Sequence, residues 1–490
     1  MHQQLLAAED AIRANKLEVA VSIYEEMLAG GKQATGLLLR QLVPLYVQTR
    51  QLIKALEAAQ ALVYFAPTAE SYMVLSSAQE KLGLNDAALS SVHRTLQLNP
   101  EDRSAVETRL YLLASRYSPM DYYEEAVRCA PECPPPKPLS SRPSAPLKVG
   151  YVSGDFKAHV MDRLIEPLLK YSSLDVTCYD NTIKQDEVST RLRTYPARWK
   201  YIYGLSAEAV AQQVVDDKID VLVDLAGLTA GNRLDVFNLR PAPIQVTMLG
   251  YLPTTGYRCF DWRIADVEQQ YQYSEPLWSM ESAAAPLPLC SQLPITPLPA
   301  LRNGFITFGY VNGLRKLTSA FIEQAVSVLK AVPNSRLVVM CLGASDEDTA
   351  TSVLRRFGNV QDRVMLTESC GGAAFCRLFA EIDIALDPFP YGGCITSYDT
   401  LYHGVPILSD PSDRRLNADA RRLQQQALGR VFPYSCVGAL ADDLGYLGSL
   451  RENLRPALSR ILAGQPELWV GQVEDTFKVM VDAKKLRMAA

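Results

Sequence analysis

Histidine is scarce in this chain: His2, His93, His159 and His403 are the whole complement of 490 residues, too few and too scattered for a histidine-rich metal centre. None of the ten cysteines (Cys129, Cys133, Cys178, Cys259, Cys290, Cys341, Cys370, Cys376, Cys394, Cys436) stands in a CxxC pair, so neither zinc nor a disulfide framework is indicated. Reduced, buried thiols in a cytoplasmic protein are the expectation. No apolar run reaches membrane-spanning length, and no charged-then-apolar leader opens the chain. A basic excess is lacking too. Net charge is −5, from 49 Lys+Arg against 54 Asp+Glu, which gives no support for nucleic-acid binding.

What is present is an ordinary globular composition, 48% apolar and 21% charged. The length exceeds one hydrophobic core and implies about three domains. Residues 1–131 read as helix after helix. The segments ALVYFAP, TLQLNP and AVRCAP end at Pro67, Pro100 and Pro131, 33 and 31 residues apart, near the tetratricopeptide period of about 34. Ala55 and Ala88 share one phase of that period, where small residues let paired helices approach; an earlier, looser unit holds Ala20 and Tyr24. About three to four helical hairpins are expected, near the minimum for a stable solenoid. They serve either to dock a protein or to cap the next domain.

Residues 132–146, ECPPPKPLSSRPSAP, hold six prolines and form a linker. From 147 to 268 strand and helix alternate: LKVGYVS, LDVTCYD, DVLVDLAG and IQVTMLGY are strands, and WKYIYGL precedes a helix with Ala207, Val210, Val214 and Val215 on its apolar face. Such alternation implies a parallel sheet covered on both faces, with ligands at the carboxyl ends of the strands. Those ends hold Ser153, Asp155, His159, Asp224, Gly227 and Tyr251. Residues 269–303 are aperiodic and proline-rich, an interdomain crossing. A second strand–helix series fills 304–440, with ITFGYV, SRLVVMCLG, VML and IAL as strands and TSAFIEQAVSVLKAV as a helix. Two Rossmann-like halves facing a cleft are therefore expected, and residues 441–490 are helices that pack back on them.

Residues 383–406, DIALDPFPYGGCITSYDTLYHGVP, concentrate the features of a ligand site. A short strand runs into a turn whose Gly392 and Gly393 permit close backbone approach. A helix follows, with Thr396 and Ser397 as candidate caps, and its unpaired N–H groups and dipole make an anion site.

The blocks GYVSGDFKAH, LVDLAGLTAGNRLDVFNLRPAPIQVTMLGYLPTTG, DWRIAD, NGFITFGYVNGLRKLT, VPNSRLVV and DIALDPFPYGGCITSYDTLYHGVP, in this order, resemble the O-GlcNAc transferase family, above all its SPINDLY-like and bacterial branch. The resemblance implies tetratricopeptide repeats followed by an α/β GT-B catalytic region. It implies transfer of a sugar from a nucleotide-sugar, UDP-GlcNAc first and GDP-fucose for SPINDLY, to Ser/Thr hydroxyls of an acceptor protein docked on the repeats. Inversion and metal independence come with it, and no cofactor is expected. Lys316 matches the lysine that contacts the diphosphate, where a fixed ammonium stabilises the departing charge. Gly392, Gly393, Thr396, Ser397 and Asp399 match the diphosphate- and ribose-binding segment, Asp399 facing a ribose hydroxyl. His159 matches a histidine on the acceptor side, with Asp155 and Asp224 as further sugar or acceptor contacts.

The chain departs from the family at several of these positions. Leu228 stands where GHT is usual, Cys394 and Ile395 replace threonine or histidine, and Phe375 replaces a nucleotide-contacting histidine that it could replace only by stacking. Arg414, Arg415, Arg421 and Arg422 are further cations that a diphosphate could use. A catalytically impaired relative acting as a docking scaffold is the alternative expectation.

Overall fold

The structure, a computed structural model, describes residues 2–30, 35–114, 119–135, 146–266, 272–409 and 419–489. Among them eight helices open the chain: α1 (His2–Arg13), α2 (Leu17–Ala29), α3 (Thr35–Gln48), α4 (Leu52–Phe65), α5 (Ala69–Lys81), α6 (Asn85–Leu98), α7 (Arg103–Leu113) and α8 (Pro119–Arg128). They pack as consecutive pairs. Ala20, Ala55 and Ala88, the recurring small residues, are fully buried, and their single methyl groups set how closely neighbouring helices approach.

Two parallel sheets follow. The first runs β1 (Lys148–Ser153), β2 (Asp175–Asp180), β3 (Arg198–Tyr201), β4 (Val221–Asp224), β5 (Ile244–Thr247), β6 (Trp262–Asp266) and β7 (Leu277–Met280), in the order β3-β2-β1-β4-β5-β6-β7. The second has β8 (Ile306–Tyr310), β9 (Ser335–Cys341), β10 (Val364–Glu368), β11 (Ile384–Leu386) and β12 (Ile407–Leu408), in the order β10-β9-β8-β11-β12. Strand order reverses between β1 and β4 and between β8 and β11, and crevices for ligands open at the carboxyl ends of such switch points. The burial patterns explain which strands show in the sequence. Central β4, β5 and β8 are buried along their whole length, whereas β3 and β7 are edge strands with exposed residues.

Two expectations need correction. WKYIYGL contributes β3 rather than only preceding a helix. The stretch 269–303 is not simply a crossing, because β7 lies inside it and pairs with β6, Ile264 opposite Trp278. The helices of 441–490 divide between the halves: Leu447 and Leu450 join the second core, while Trp469, Val473, Phe477 and Met480 from Pro466–Ala489 complete the first. Linker residues 136–145 and crossing residues 267–271 lie outside the described residues.

The repeats do not stand off from the sheets. Ala88, Val92 and Leu110 share one apolar cluster with Val152, Tyr179 and Leu222 of the first sheet, while Leu52 and Leu82 enter the core of the second. Leu52 N donates to Thr349 Oγ1 (3.2 Å), and Tyr122 Oη donates to the Thr254 carbonyl (2.7 Å). The array thus touches both halves. Gly83, between α5 and α6, has φ +73°, and a Cβ there would lie 2.3 Å from the Leu314 carbonyl oxygen. Gly83→Ala is expected to cost about 2–3 kcal/mol, from left-handed strain plus separation of two backbones. At Gly204, with φ +78° and nothing within 4 Å, alanine should cost only about 1 kcal/mol. Urea unfolding of the two variants checks the difference, and equal costs would remove the close contact from the account.

Candidate functional site

The site is built at the switch point of the second sheet. β8 delivers Asn312, buried just past its carboxyl end, and then a one-turn helix Leu314–Lys316. Leu314 and Leu317 anchor that turn in the core, and Tyr310 Oη donates to the Gly313 carbonyl (2.8 Å). Lys316 is left half-buried, pointing at the neighbouring turn. Its Nζ donates to the Gly392 carbonyl (2.6 Å), lies 3.5 Å from Asn312 Oδ1 and sits 4.6 Å from the centre of the Tyr391 ring. Burial first, then the charge of Arg315, lowers its ammonium pKa to about 8.

β11 supplies the other side. Asp387 follows it and accepts from Gly393 N (2.8 Å), pinning the glycine turn, while Thr318 Oγ1 donates to the Phe389 carbonyl (2.9 Å). Helix Ile395–Tyr402 then begins with Cys394 as its N-cap and no side-chain cap bond. Thr396 and Ser397 are therefore inside the first turn and are not caps. Their hydroxyls face the glycine turn instead, since a Cβ on Gly393 would lie 2.4 Å from Ser397 Oγ and 2.9 Å from Thr396 Oγ1. Thr396 Oγ1 also donates to Asn312 Oδ1 (3.1 Å). The structure thus gathers Lys316, Gly392, Gly393, Thr396 and Ser397 around one turn. Ammonium, hydroxyls and a helix N-terminus together can hold a polyanion.

Other expected contacts are placed elsewhere. The Asp399 carboxylate is paired within the protein: its two oxygens take Arg163 Nη1 and Nη2, each at 2.7 Å, in a buried pair that ties helix Ile395–Tyr402 to helix Asp162–Lys170 of the first half. Phe375 is buried edge-to-face on Phe379, ring centres 5.0 Å apart, because its helix Gly372–Leu378 turns that side inward; it offers no face to a base. Asp224 is fully buried and accepts from Ala226 N (3.0 Å), Gly227 N (2.9 Å) and Thr247 Oγ1 (2.7 Å), so it holds the turn after β4 and is no sugar contact. Leu228 is core. Arg422 is buried between Asp419 (3.0 Å) and Asp266 (3.7 Å); burial works against its charge, and the two carboxylates outweigh it. Arg414 and Arg415 lie outside the described residues.

His159 belongs to the first half, on the loop after β1. Its Nδ1 is 3.5 Å from Asp155 Oδ2, and the imidazole is 44% exposed, open enough to meet an incoming group. Burial raises the Asp155 carboxyl pKa, and His159 opposes that rise. Among the described residues no group of three or more His, Cys, Asp or Glu is placed to hold a metal ion, and no helix is long and apolar enough to cross a membrane. Asn312, Asp387 and Tyr391 escape the sequence reading. The first two sit at strand ends beside a switch point, a position that alone flags them.

Comparison with known proteins agrees with this arrangement. The profile of glycosyl transferase family 41 matches residues 135–284 and 297–431. The protein named "Probable UDP-N-acetylglucosamine--peptide N-acetylglucosaminyltransferase SPINDLY" of Hordeum vulgare is 34% identical over 359 residues, 68% of this chain and 38% of that protein. The protein of the same name from Arabidopsis thaliana is 34% identical over 348 residues, 66% of this chain and 38% of its own length. The chain therefore spans about two fifths of these plant relatives. Among solved structures, a mutant of Thermobaculum terrenum O-GlcNAc transferase superposes with a TM-score of 0.88 at 25% identity, covering 100% of this chain and 98% of that one. Two Rossmann-like halves behind a helical repeat array make the fold α/β GT-B. With its family profile matched over more than half its length, this chain belongs to glycosyl transferase family 41.

Proposed function

We propose that the chain transfers a sugar, GlcNAc or a close relative, from a nucleotide-sugar donor to Ser/Thr hydroxyls of a cytoplasmic protein docked on the repeats, with inversion and without a metal ion. The donor favoured is UDP-GlcNAc, the nucleotide-sugar in the names of the plant relatives. One observation carries the proposal: the Lys316 ammonium rests on the Gly392 carbonyl at the mouth of helix Ile395–Tyr402. An arriving diphosphate takes the place of that carbonyl as the partner of Nζ. As the glycosidic bond breaks, negative charge grows on the leaving diphosphate, and the ammonium, Thr396, Ser397 and the helix N-terminus meet it already oriented. A hydroxyl attacking from the opposite face gives inversion. His159, whose Nδ1 accepts from Met161 N (3.4 Å) and lies 3.5 Å from Asp155 Oδ2, would take the hydroxyl proton.

The charge state of Lys316 gives the test. Only the ammonium attracts diphosphate, and its pKa near 8 means the attraction is full below that pH and fades above it. Calorimetric titration with UDP is expected to show affinity falling roughly tenfold between about pH 7.5 and 9.5. No heat with either UDP or GDP at millimolar nucleotide would sink the proposal. A second reading, a docking protein without turnover, draws on Asp399 being sealed against Arg163 and Phe375 being buried in the core. It requires no transfer from UDP-GlcNAc to any peptide, whether or not the nucleotide binds.

A further inference from the structure

The residue before Lys316 has no assigned part in the site, yet its side chain and main chain both engage the repeats at the junction with the catalytic halves. The Arg315 guanidinium lies 4.3 Å from the centre of the Tyr111 ring on α7 and 5.5 Å from that of Tyr391 on the glycine turn. Its Nε is 3.5 Å from Glu80 Oε1 on α5, and its backbone carbonyl accepts from Asn85 Nδ2 on α6 (2.8 Å). Three successive repeat helices thus grip one residue by both side chain and main chain. Tyr111 in turn stacks on Tyr251 of the first half, ring centres 6.4 Å apart.

The grip matters because of where it falls. Helix Leu314–Lys316 is a single turn closed by the bonds from Lys316 N to Gly313 O and from Leu317 N to Leu314 O, both 2.9 Å. A turn that short has little rigidity of its own. Tyr391 shares its ring between Arg315 and Lys316, so the two cations are registered against one aromatic face on the turn that carries Gly392 and Gly393.

The geometry points to Arg315 as a positioning residue: clamped between Tyr111 of the repeats and Tyr391 of the glycine turn, it makes the repeat array part of the device that aims Lys316 at the diphosphate. The inference rests on the reading of Lys316 as the leaving-group lysine. The family resemblance says nothing of it. It makes the array a wall of the donor site in addition to any docking role.

The test follows Lys316 itself, in the full chain. Isotope-coded acetic anhydride labels the neutral amine, and mass spectrometry of the Lys316 peptide across pH gives its midpoint. The groups that face this amine among the described residues are Arg315 on its own turn, Asp387 and Tyr391 on the glycine turn, Cys394 at the helix start and Asp419 beyond it. Arg315→Met removes the neighbouring positive charge and the clamp together, so the midpoint should rise by about one pH unit. Tyr111→Leu should move it the same way, and Arg315→Lys should return it most of the way to wild type. UDP affinity should weaken roughly tenfold in Arg315→Met, with partial rescue by lysine. A residue that merely stabilised the fold would shift the Lys316 midpoint through its charge alone, so an unmoved midpoint and unchanged UDP affinity in folded Tyr111→Leu, which keeps that charge and removes the clamp, overturn the inference. If Tyr111→Leu fails to fold, Arg315→Lys decides: it keeps the charge and loses the planar stack, and UDP affinity equal to wild type there overturns the inference. A wild-type chain that binds no UDP would end the transferase reading alone, because the labelling midpoints need no nucleotide.

Discussion

Lys316→Met is expected to lower sugar transfer roughly 10²–10³-fold, the loss typical when one fixed electrostatic partner of a developing charge is removed. Methionine keeps most of the stem and its packing, so the turn that carries it should persist. The same substitution should stabilise the fold near neutral pH. In the folded chain the ammonium titrates near 8, below its ordinary 10.5. Between those values the unfolded chain binds more protons than the folded one, so stability rises with pH across that window. Below about pH 8 both states are protonated and the full penalty of holding the charge applies. Partial exposure reduces that penalty and the lost bond to Gly392 offsets more of it, leaving a net gain of about 1 kcal/mol for methionine at pH 7. The gain should vanish near pH 10.5. Transfer rates from UDP-GlcNAc, with urea midpoints at both pH values, measure the two halves of this claim. Unchanged transfer would remove Lys316 from the leaving group. A lower urea midpoint at pH 7 would mean the lysine is held more for structure than for charge.

Asp399→Ala should be the most destabilising single change in the site, at about 3–5 kcal/mol. The carboxylate is nearly sealed, the Arg163 side chain is only 11% exposed, and two bonds of 2.7 Å join them. Removing the anion leaves a buried guanidinium whose remaining fixed partner is the Leu287 carbonyl, at 2.7 Å from Nε. Burial raises the Asp399 pKa and Arg163 pulls against it without cancelling it, so desolvation is the larger effect at this carboxylate. The double variant Arg163→Met/Asp399→Leu should recover most of the loss, because an apolar pair of similar volume needs no such compensation. Equilibrium unfolding in urea decides. If Asp399→Ala instead left stability intact and weakened only UDP affinity, the ribose role implied by the family would be reinstated.

These cases show where sequence reasoning reached and where it stopped. The runs KVGYVS, VLVD and ITFGY betray buried strands because burial on both faces demands near-continuous apolar residues. LWSM does not, because an edge strand with exposed residues carries no such demand. The repeat phase was legible from Ala55 and Ala88, since a helix pair tolerates little else where it crosses. The placement of Lys316 against the glycine turn follows from two adjacent strands of one sheet, β8 and β11, whose ends must converge. The Arg163 partner of Asp399 was illegible for a different reason. The place of Asp399 in the helix was correct, but its partner lies 236 positions away in the other half, and no local pattern announces a pairing at that distance. Phe375 was a residue type that could stack, and nothing in the sequence signalled that its helix turns it inward onto Phe379. Thr396 and Ser397 were read as caps, but the cap is Cys394, two and three residues before them, which makes no side-chain capping bond.

The hairpin turns that reach the catalytic halves also govern how the array can change in length. The contacts of Leu52 with Thr349, Gly83 with Leu314 and Tyr122 with Thr254 fix the spacing of the later hairpins against two rigid sheets. A unit inserted among them would throw every later contact out of step. The first hairpin has no such obligation, since Ala8, Ala20 and Tyr24 bury themselves only among repeat residues. Growth or loss of units is thus open at the outer end of the solenoid and closed at the inner end. Units can therefore be added at the outer end without disturbing the contacts of Leu52, Gly83 and Tyr122 with the two halves.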